Sequence, residues 1–335
     1  MVLVRCFSLL VILACITPYV SKAATVKVAA LVPDGTSWAK NLKKMAKEIK
    51  KATGGDVKFK LYLGGVQGDE PVVLRKIRSG QLHGGIFTGK ALGDIYGDVR
   101  LLEVPFNFVH DRQKALATLD AMKPHFNKGF EKSGFQNLGF FELGKVFIVS
   151  GKKAGNIDEL KGAKIWAWEG DELVAAIMNN LKLISVPLAL PDVLTSLSTG
   201  MIESAYATPL AIIALQWQSK VKYLYDFPVT YSFGGLLLSK RIWKKIPKKH
   251  HKTVLEIAQK WTKITNDTTI AENKTSLSAL KDMGIEFLKF PDSDIARGQS
   301  VRKDVLCELK GKLFTAEGFE LFKKETKTQI TCKAS

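Results

Sequence analysis

The sequence predicts an α/β protein of two lobes, with a cleft between them and a long helix bridging both. Three observations carry this reading. The chain opens in strand–helix–strand order, two of its segments echo each other 120 residues apart, and a late helical pattern is too long for one lobe. A length of 335 residues exceeds one typical domain and suits two of ordinary size.

The opening elements are legible in order. Val26–Leu31 (VKVAAL) reads as a buried strand, and Pro33-Asp34-Gly35-Thr36 as a turn. Trp38, Leu42, Met45, Ala46 and Ile49 have helical spacing through Ala52, with Lys43, Lys44, Lys47, Lys50 and Lys51 between them on a solvated face. Gly54-Gly55 stops that helix. Val57, Phe59, Leu61 and Leu63 then alternate with Lys58, Lys60 and Tyr62 as a strand ending at Gly64-Gly65. Short joins between such elements predict a parallel sheet.

The echo pairs VLRKIRSGQLHGGIFTG (Val73–Gly89) with VLTSLSTGMIESAYATP (Val193–Pro209). Each reads as a helix closed by glycine (Gly80, Gly200), then a short strand, then a loop beginning at threonine (Thr88, Thr208). Shared α/β grammar alone could produce this likeness; the other reading is two lobes of like design. Open α/β sheets bind ligands at the loops after their strands, which turns attention to Thr88 and Thr208.

From Lys249 to Met283 apolar residues recur at three- or four-residue spacing, and Gly284 ends the run. A helix of that length spans about 50 Å at 1.5 Å per residue, so it bridges both lobes or breaks in two. Asn266-Asp267-Thr268 and Asn273-Lys274-Thr275 match glycosylation sequons within it. The expected division is a signal peptide over 1–23, lobe one over 24–143 with 237–260 returning to it, and lobe two over 144–236. The long helix covers 250–284, and 285–335 packs on the lobes. Crossings are expected near Leu143–Val149 and Leu236–Ser239.

Composition narrows the class. Hydrophobic residues at 46% and charged residues at 24% describe a globular chain. Arg5, the apolar run Cys6–Ala14 and Ser21-Lys22-Ala23 form an export signal, cut after Ala23. Ile12-Leu13-Ala14-Cys15 gives the alternative of a lipid anchor on Cys15. Export leaves Cys307 and Cys332 as an even pair in an oxidising compartment, read as a disulfide or else as two unrelated thiols. The formal charge of +18 could serve anionic partners, but the lysines lie mostly on helix faces and export argues against nucleic acid. The five histidines, His83, His110, His125, His250 and His251, show no metal-ligand spacing. No nucleophile elbow, Walker loop or dinucleotide fingerprint occurs. An enzyme, a metal and a cofactor are therefore not expected.

Four stretches, taken in succession from about Val26 to about Leu280, resemble the solute-binding subunits of TRAP transporters, the DctP type of periplasmic receptor. They are LVPDGTSWAKNLKKMAKEIKKATGGDVKFKLYLGG, IDELKGAKI, VPLALPDVLTSLSTGMIESAYATP and KVKYLYDFPVTYSFGGLLLSKRIWKKIP. The resemblance implies a two-lobed periplasmic-binding-protein fold that closes on its ligand and delivery to a permease driven by an ion gradient; a monomer is expected. A ligand-sensing receptor on the same scaffold is the alternative. The family's usual ligand is a carboxylate held by an arginine on the strand after the LKG turn, and here that position holds Trp166. A second basic position is represented by Lys145 after Gly144. An indole has one donor and a broad apolar face where a guanidinium has a fork, so a bulkier, partly apolar ligand is expected, with any anionic end near Lys145. The other candidate cleft residues are Asp34, Thr36 and Trp38 in the first strand-to-helix loop, Gln67 and Glu70 after the second strand, Thr88, Glu169, Tyr206, Thr208 and Trp217.

Overall fold

The structure is a computed structural model and describes residues 23–332. The export signal, its cleavage site and Cys15 lie outside the described residues, except for Ala23.

Lobe one is built on β1 (Ala24–Ala30), β2 (Val57–Tyr62) and β3 (Gly84–Thr88), with β1 parallel to both neighbours. Helices α1 (Ser37–Ala52), α2 (Glu70–Ser79), α3 (Gly89–Ile95) and α4 (Arg112–Lys132) cover it. The apolar stripe foreseen on α1 is buried at Trp38, Leu42, Met45 and Ile49, and Thr36 caps its first turn by accepting from the Ala39 amide. Strand β4 (Phe135–Ser150) then leaves the lobe. Lobe two holds β5 (Lys164–Ala167), α5 (Glu172–Leu181), β6 (Ile184–Pro187), α6 (Val193–Thr199), β7 (Ser204–Ala207), α7 (Pro209–Ala214) and β8 (Tyr223–Tyr225). Strand β9 (Thr230–Ser239) returns to lobe one, followed by α8 (Lys240–Trp243), α9 (Lys248–Asp282), β10 (Glu286–Leu288), α10 (Asp292–Leu309) and α11 (Ala316–Thr326).

The strand order is β2-β1-β3-β9-β4-β7-β5-β6, so β4 is the seam. It pairs with β9 up to Val146 and with β7 from Phe147. A 16-residue strand serves two sheets by bending, and the bend is a bulge at Glu142/Gly144, where Gly144 takes φ +104°. Strand β4 thus changes partner between Val146 and Phe147. The return crossing comes earlier than Leu236–Ser239, because β9 already pairs with β4 from Thr230.

Helix α9 runs unbroken for 35 residues and packs on α1 and β4 in lobe one and on α7 in lobe two. Its buried face changes from Val254, Ile257 and Ala258 to Thr262, Thr265 and Thr269, whose hydroxyls bond carbonyls one turn back. The two sequon asparagines fasten the seam. Asn266 accepts from the Glu142 amide at 3.0 Å, and Asn273 donates to the Leu143 carbonyl at 2.8 Å while accepting from the Leu210 amide at 3.0 Å.

The largest apolar cluster spans both lobes and the C-terminal helices, from Phe126 and Phe130 through Ile165 and Leu173 to Phe319 and Phe322. Cys307 and Cys332 are joined by a disulfide, which ties α10 to the segment after α11. Both echoed glycines close their helices in the left-handed conformation, Gly80 at φ 86° and Gly200 at φ 72°. Both echoed threonines stand at the N-cap of the next helix with no side-chain cap bond. The two lobes therefore present equivalent loops to the cleft.

Candidate functional site

Three cavities lie along the seam between the lobes. A small one of about 70 Å³ sets Thr88, Lys90, Arg100, Glu103 and Ser232 from one side and Asp171 and Tyr206 from the other into a wall whose open surface is otherwise mostly apolar, with Val146, Trp168, Leu173 and Ile177. It shares Lys90, Arg100 and Asp171 with a wider cavity of about 520 Å³, to which α2 adds Arg75 and Arg78, α3 adds Asp94, and the loop before α5 adds Gly170 and Glu172. An apolar one of about 160 Å³ is walled by Leu31, Val32 and Trp38, by Leu190 and the α7 residues Leu210 and Ala211, and by Thr269 of α9.

Arg100 organises the small cavity. It is only 5% exposed, sits on the 3-10 turn Gly97–Glu103, and donates from both terminal nitrogens to Asp171 Oδ2 at 3.2 Å. Its Nε lies 3.0 Å from Glu103 Oε2 as an ion pair, without the alignment of a hydrogen bond. Burial opposes the guanidinium's charge, but Asp171 and Glu103 outweigh it and hold its pKa above the ordinary value. Burial pushes Glu103 up, partly offset by Arg100 and by Ser232, whose hydroxyl donates to it. Burial also raises Glu70, to about 8, against two bonds from Thr88, whose amide and hydroxyl each donate at 2.8 Å. The Tyr206 hydroxyl is sealed from solvent with no protein partner, and burial followed by the Asp171 charge lifts its pKa well above the usual phenol range.

The apolar cavity has almost no free polar groups. Trp38 Nε1 donates to Thr269 Oγ1 at 2.6 Å, and Thr269 donates onward to Thr265. Thr36 donates to the Pro33 carbonyl. Between the two cavities Asp69 acts as a tie. One of its oxygens caps α2, while the other accepts from Trp168 Nε1 at 3.2 Å and the Leu190 amide at 3.1 Å in lobe two.

The candidates named from sequence divide between the cleft and its surroundings. Thr88 and Tyr206 line the small cavity; Trp38, Thr36 and Thr208 line the apolar one. Glu70 stands behind Thr88. Trp166 lies a layer deeper than expected. It is 1% exposed, donates to the Leu188 carbonyl at 3.0 Å, stacks on Tyr206 at 5.0 Å and meets Trp217 edge-on at 5.5 Å. Trp217 is likewise core. Lys145 is exposed, next to Val146, which lines the small cavity; successive strand residues face opposite ways. Asp34 is exposed and paired with Lys43 at 2.6 Å, Gln67 accepts from Lys76, and Glu169 is exposed. Sequence reasoning did not single out Arg100, Glu103, Lys90 or Asp69. The available signal was an Arg–Glu pair around Leu101-Leu102, charges inside an apolar run that only a partner could make tolerable. Among the described residues no cluster of His, Cys, Asp and Glu could hold a metal ion, and no helix is long and apolar enough to cross a membrane.

Two like lobes, a bent shared strand and cavities walled from both sides are the architecture of a two-lobed binding protein. The family described as bacterial extracellular solute-binding protein, family 7 (DctP) matches residues 28–310, and the chain belongs to it. A solute-binding protein of Verminephrobacter eiseniae is 23% identical over 242 residues, covering 72% of each chain. The fold is similar to a TRAP periplasmic solute-binding protein of Desulfovibrio salexigens with bound orotic acid (TM-score 0.83, 18% identity, 91% of this chain and 99% of that one). It is equally similar to an extracytoplasmic solute receptor of Bordetella pertussis binding pyroglutamic acid (TM-score 0.83, 20% identity, 91% and 100%).

Proposed function

We propose that this chain captures a small, partly apolar organic solute by closing its lobes, and passes it to TRAP-type permease subunits while working as a periplasmic monomer. The observation that carries the reading is the apolar cavity of about 160 Å³, whose wall needs both lobes and α9 at once. A cavity near 150 Å³ lined by apolar side chains stays dry and accepts a benzene-sized guest, and a guest here touches both lobes, so binding favours closure. The single-ring solutes in the two similar structures support that scale.

The test is to fill the cavity. Ala211→Trp should leave the circular dichroism spectrum and the ligand-free urea midpoint near wild type but abolish the stabilisation given by a dialysable metabolite extract, which for a solute at a hundredfold excess over Kd amounts to about 2.7 kcal/mol in wild type. Unchanged ligand stabilisation in that variant would remove this cavity from the site.

A further inference from the structure

We infer that the pole of lobe one opposite the cleft is a docking surface for anionic phospholipid headgroups, carried by the lysines at the corner between α8 and α9. The inference concerns a face that takes no part in solute capture, and it holds whatever the solute is.

The corner reads KRIWKKIPKKHHK over residues 240–252, seven lysines and arginines without an aspartate or glutamate. The topology puts it at one end of the lobe. Strands β1, β2 and β3 run parallel from Ala24, Val57 and Gly84 toward the cleft, while β9 runs back and ends at Ser239, just before α8. A seven-residue strand thus separates the corner from the cleft by roughly 20 Å. Helix α1 also ends at this pole, its Lys50 and Lys51 about a turn before Asp56. Asp56 Oδ2 lies 2.9 Å from His250 Nε2 and 3.2 Å from Lys249 Nζ, which joins the two basic segments. The chain enters β1 here as well, where the Ala24 amide donates to the Asp56 carbonyl at 2.7 Å.

The carboxylates at the pole are already engaged. Glu131, Asp56 and Glu256 pair with Lys240, Lys249 and Lys252, and Lys50, Lys51, Lys244, Lys245 and Lys248 stand exposed beyond them. Their field reaches His83: burial, and after it the charges of Lys27, Lys245 and Arg241, hold this imidazole below its ordinary pKa against one backbone bond. Helix stability does not account for the charge. Lys248 and Lys249 open the first turn of α9, which has no acidic residue and no side-chain cap bond, at the helix end whose dipole disfavours cations. The charge is also unevenly placed, since the matching end of lobe two sets Lys164 and Lys222 beside Glu203 and Glu286.

This chemistry suits a bilayer surface better than a protein partner. Lysines are compact charges on flexible stems, fit for a diffuse layer of headgroup phosphates, whereas protein interfaces centre on large apolar or aromatic anchors. Trp243, the corner's tryptophan, is 9% exposed and stacks on His251 at 4.3 Å. Among the described residues the exposed large apolar side chains, such as Val66, Ile184 and Met201, belong to other segments. A receptor held by this pole leaves its cleft, at the far ends of the strands, free to load.

The experiment is flotation of the mature protein with phosphatidylcholine vesicles, with and without about one third phosphatidylglycerol. The protein should float with the anionic vesicles alone. Lys244→Gln, Lys245→Gln, Lys248→Gln and Lys249→Gln combined should lower the partition coefficient at least about thirtyfold, and Lys50→Gln with Lys51→Gln about threefold to tenfold. Removing as many charges elsewhere, by Lys164→Gln, Lys220→Gln, Lys222→Gln and Lys312→Gln, should change it by less than about threefold, because salt screens charges that do not touch the surface. No flotation of wild type, or equal losses in the two fourfold variants, overturns the inference. Binding to right-side-out bacterial membrane vesicles should also survive digestion of those vesicles with protease; binding that disappears assigns the face to an acidic protein and overturns it too.

Discussion

The two walls of the cleft differ in chemistry. Lobe one brings Arg75, Arg78, Lys90 and Arg100 together with Asp94 and Glu103, while lobe two, among the described residues, brings no cation, only Asp171, Glu172 and the aromatic faces of Trp168 and Tyr206. Each lobe also sends one capping aspartate across. Asp69 caps α2 and holds Trp168 and Leu190; Asp171 caps α5 through the Val174 amide and holds Arg100. A cap at the start of a helix after a strand already stands at the sheet edge where open α/β folds bind ligands, so one oxygen can serve the helix and the other the opposite lobe. The walls thus satisfy each other through Arg100–Asp171 and the Asp69 contacts.

The largest test of that complementarity is Arg100→Met. It strands Glu103 and Asp171 in a dry site and should cost about 3–5 kcal/mol in urea denaturation; a cost below about 1 kcal/mol would mean that the pair behaves as a solvated surface bridge. Next in size is the double variant Cys307→Ser/Cys332→Ser. The C-terminal helices pack on both lobes, α10 on α5 and α11 on α4, so a loss of about 2–4 kcal/mol in stability should leave the stabilisation given by the metabolite extract unchanged. Loss of that stabilisation would show that the staple sets the lobes' relative position. Asp69→Asn preserves the cap and weakens the tie to Trp168 and Leu190, worth about 1–2 kcal/mol of closure. Small-angle scattering should then report a larger radius of gyration without ligand, and an unchanged radius would make Asp69 a cap alone.

The smallest effect is a slope. Because the folded protein holds the Glu70 carboxyl at about 8, it keeps a proton that the unfolded chain releases at the ordinary carboxylate value, near 4.5. The folded state binds more protons over that window, so Glu70's contribution to stability declines as pH rises from about 4.5 to 8. Glu70→Gln should flatten that part of the pH–stability curve. A slope identical to wild type would show that Glu70 is ionised beside Thr88.

Much of this was legible in the residues themselves. Local rules fixed α1, the paired glycine-closed helices before β3 and β7, and the span of α9, because periodicity and left-handed caps are properties of neighbours in sequence. The even cysteine pair pointed to its bond on the same footing. The cleft's composition was not local. Arg100 finds Asp171 across 71 residues and Asp69 finds Leu190 across 121. Strand alternation says that Trp166 has a side to face but not whether that side is core or cleft. Only the packing of β5 against Trp217 and Tyr206 decided that. The chain determined its fold and family by itself. The pairing of its buried charges was decided by tertiary structure, since a buried charge takes its meaning from the partners that folding brings to it.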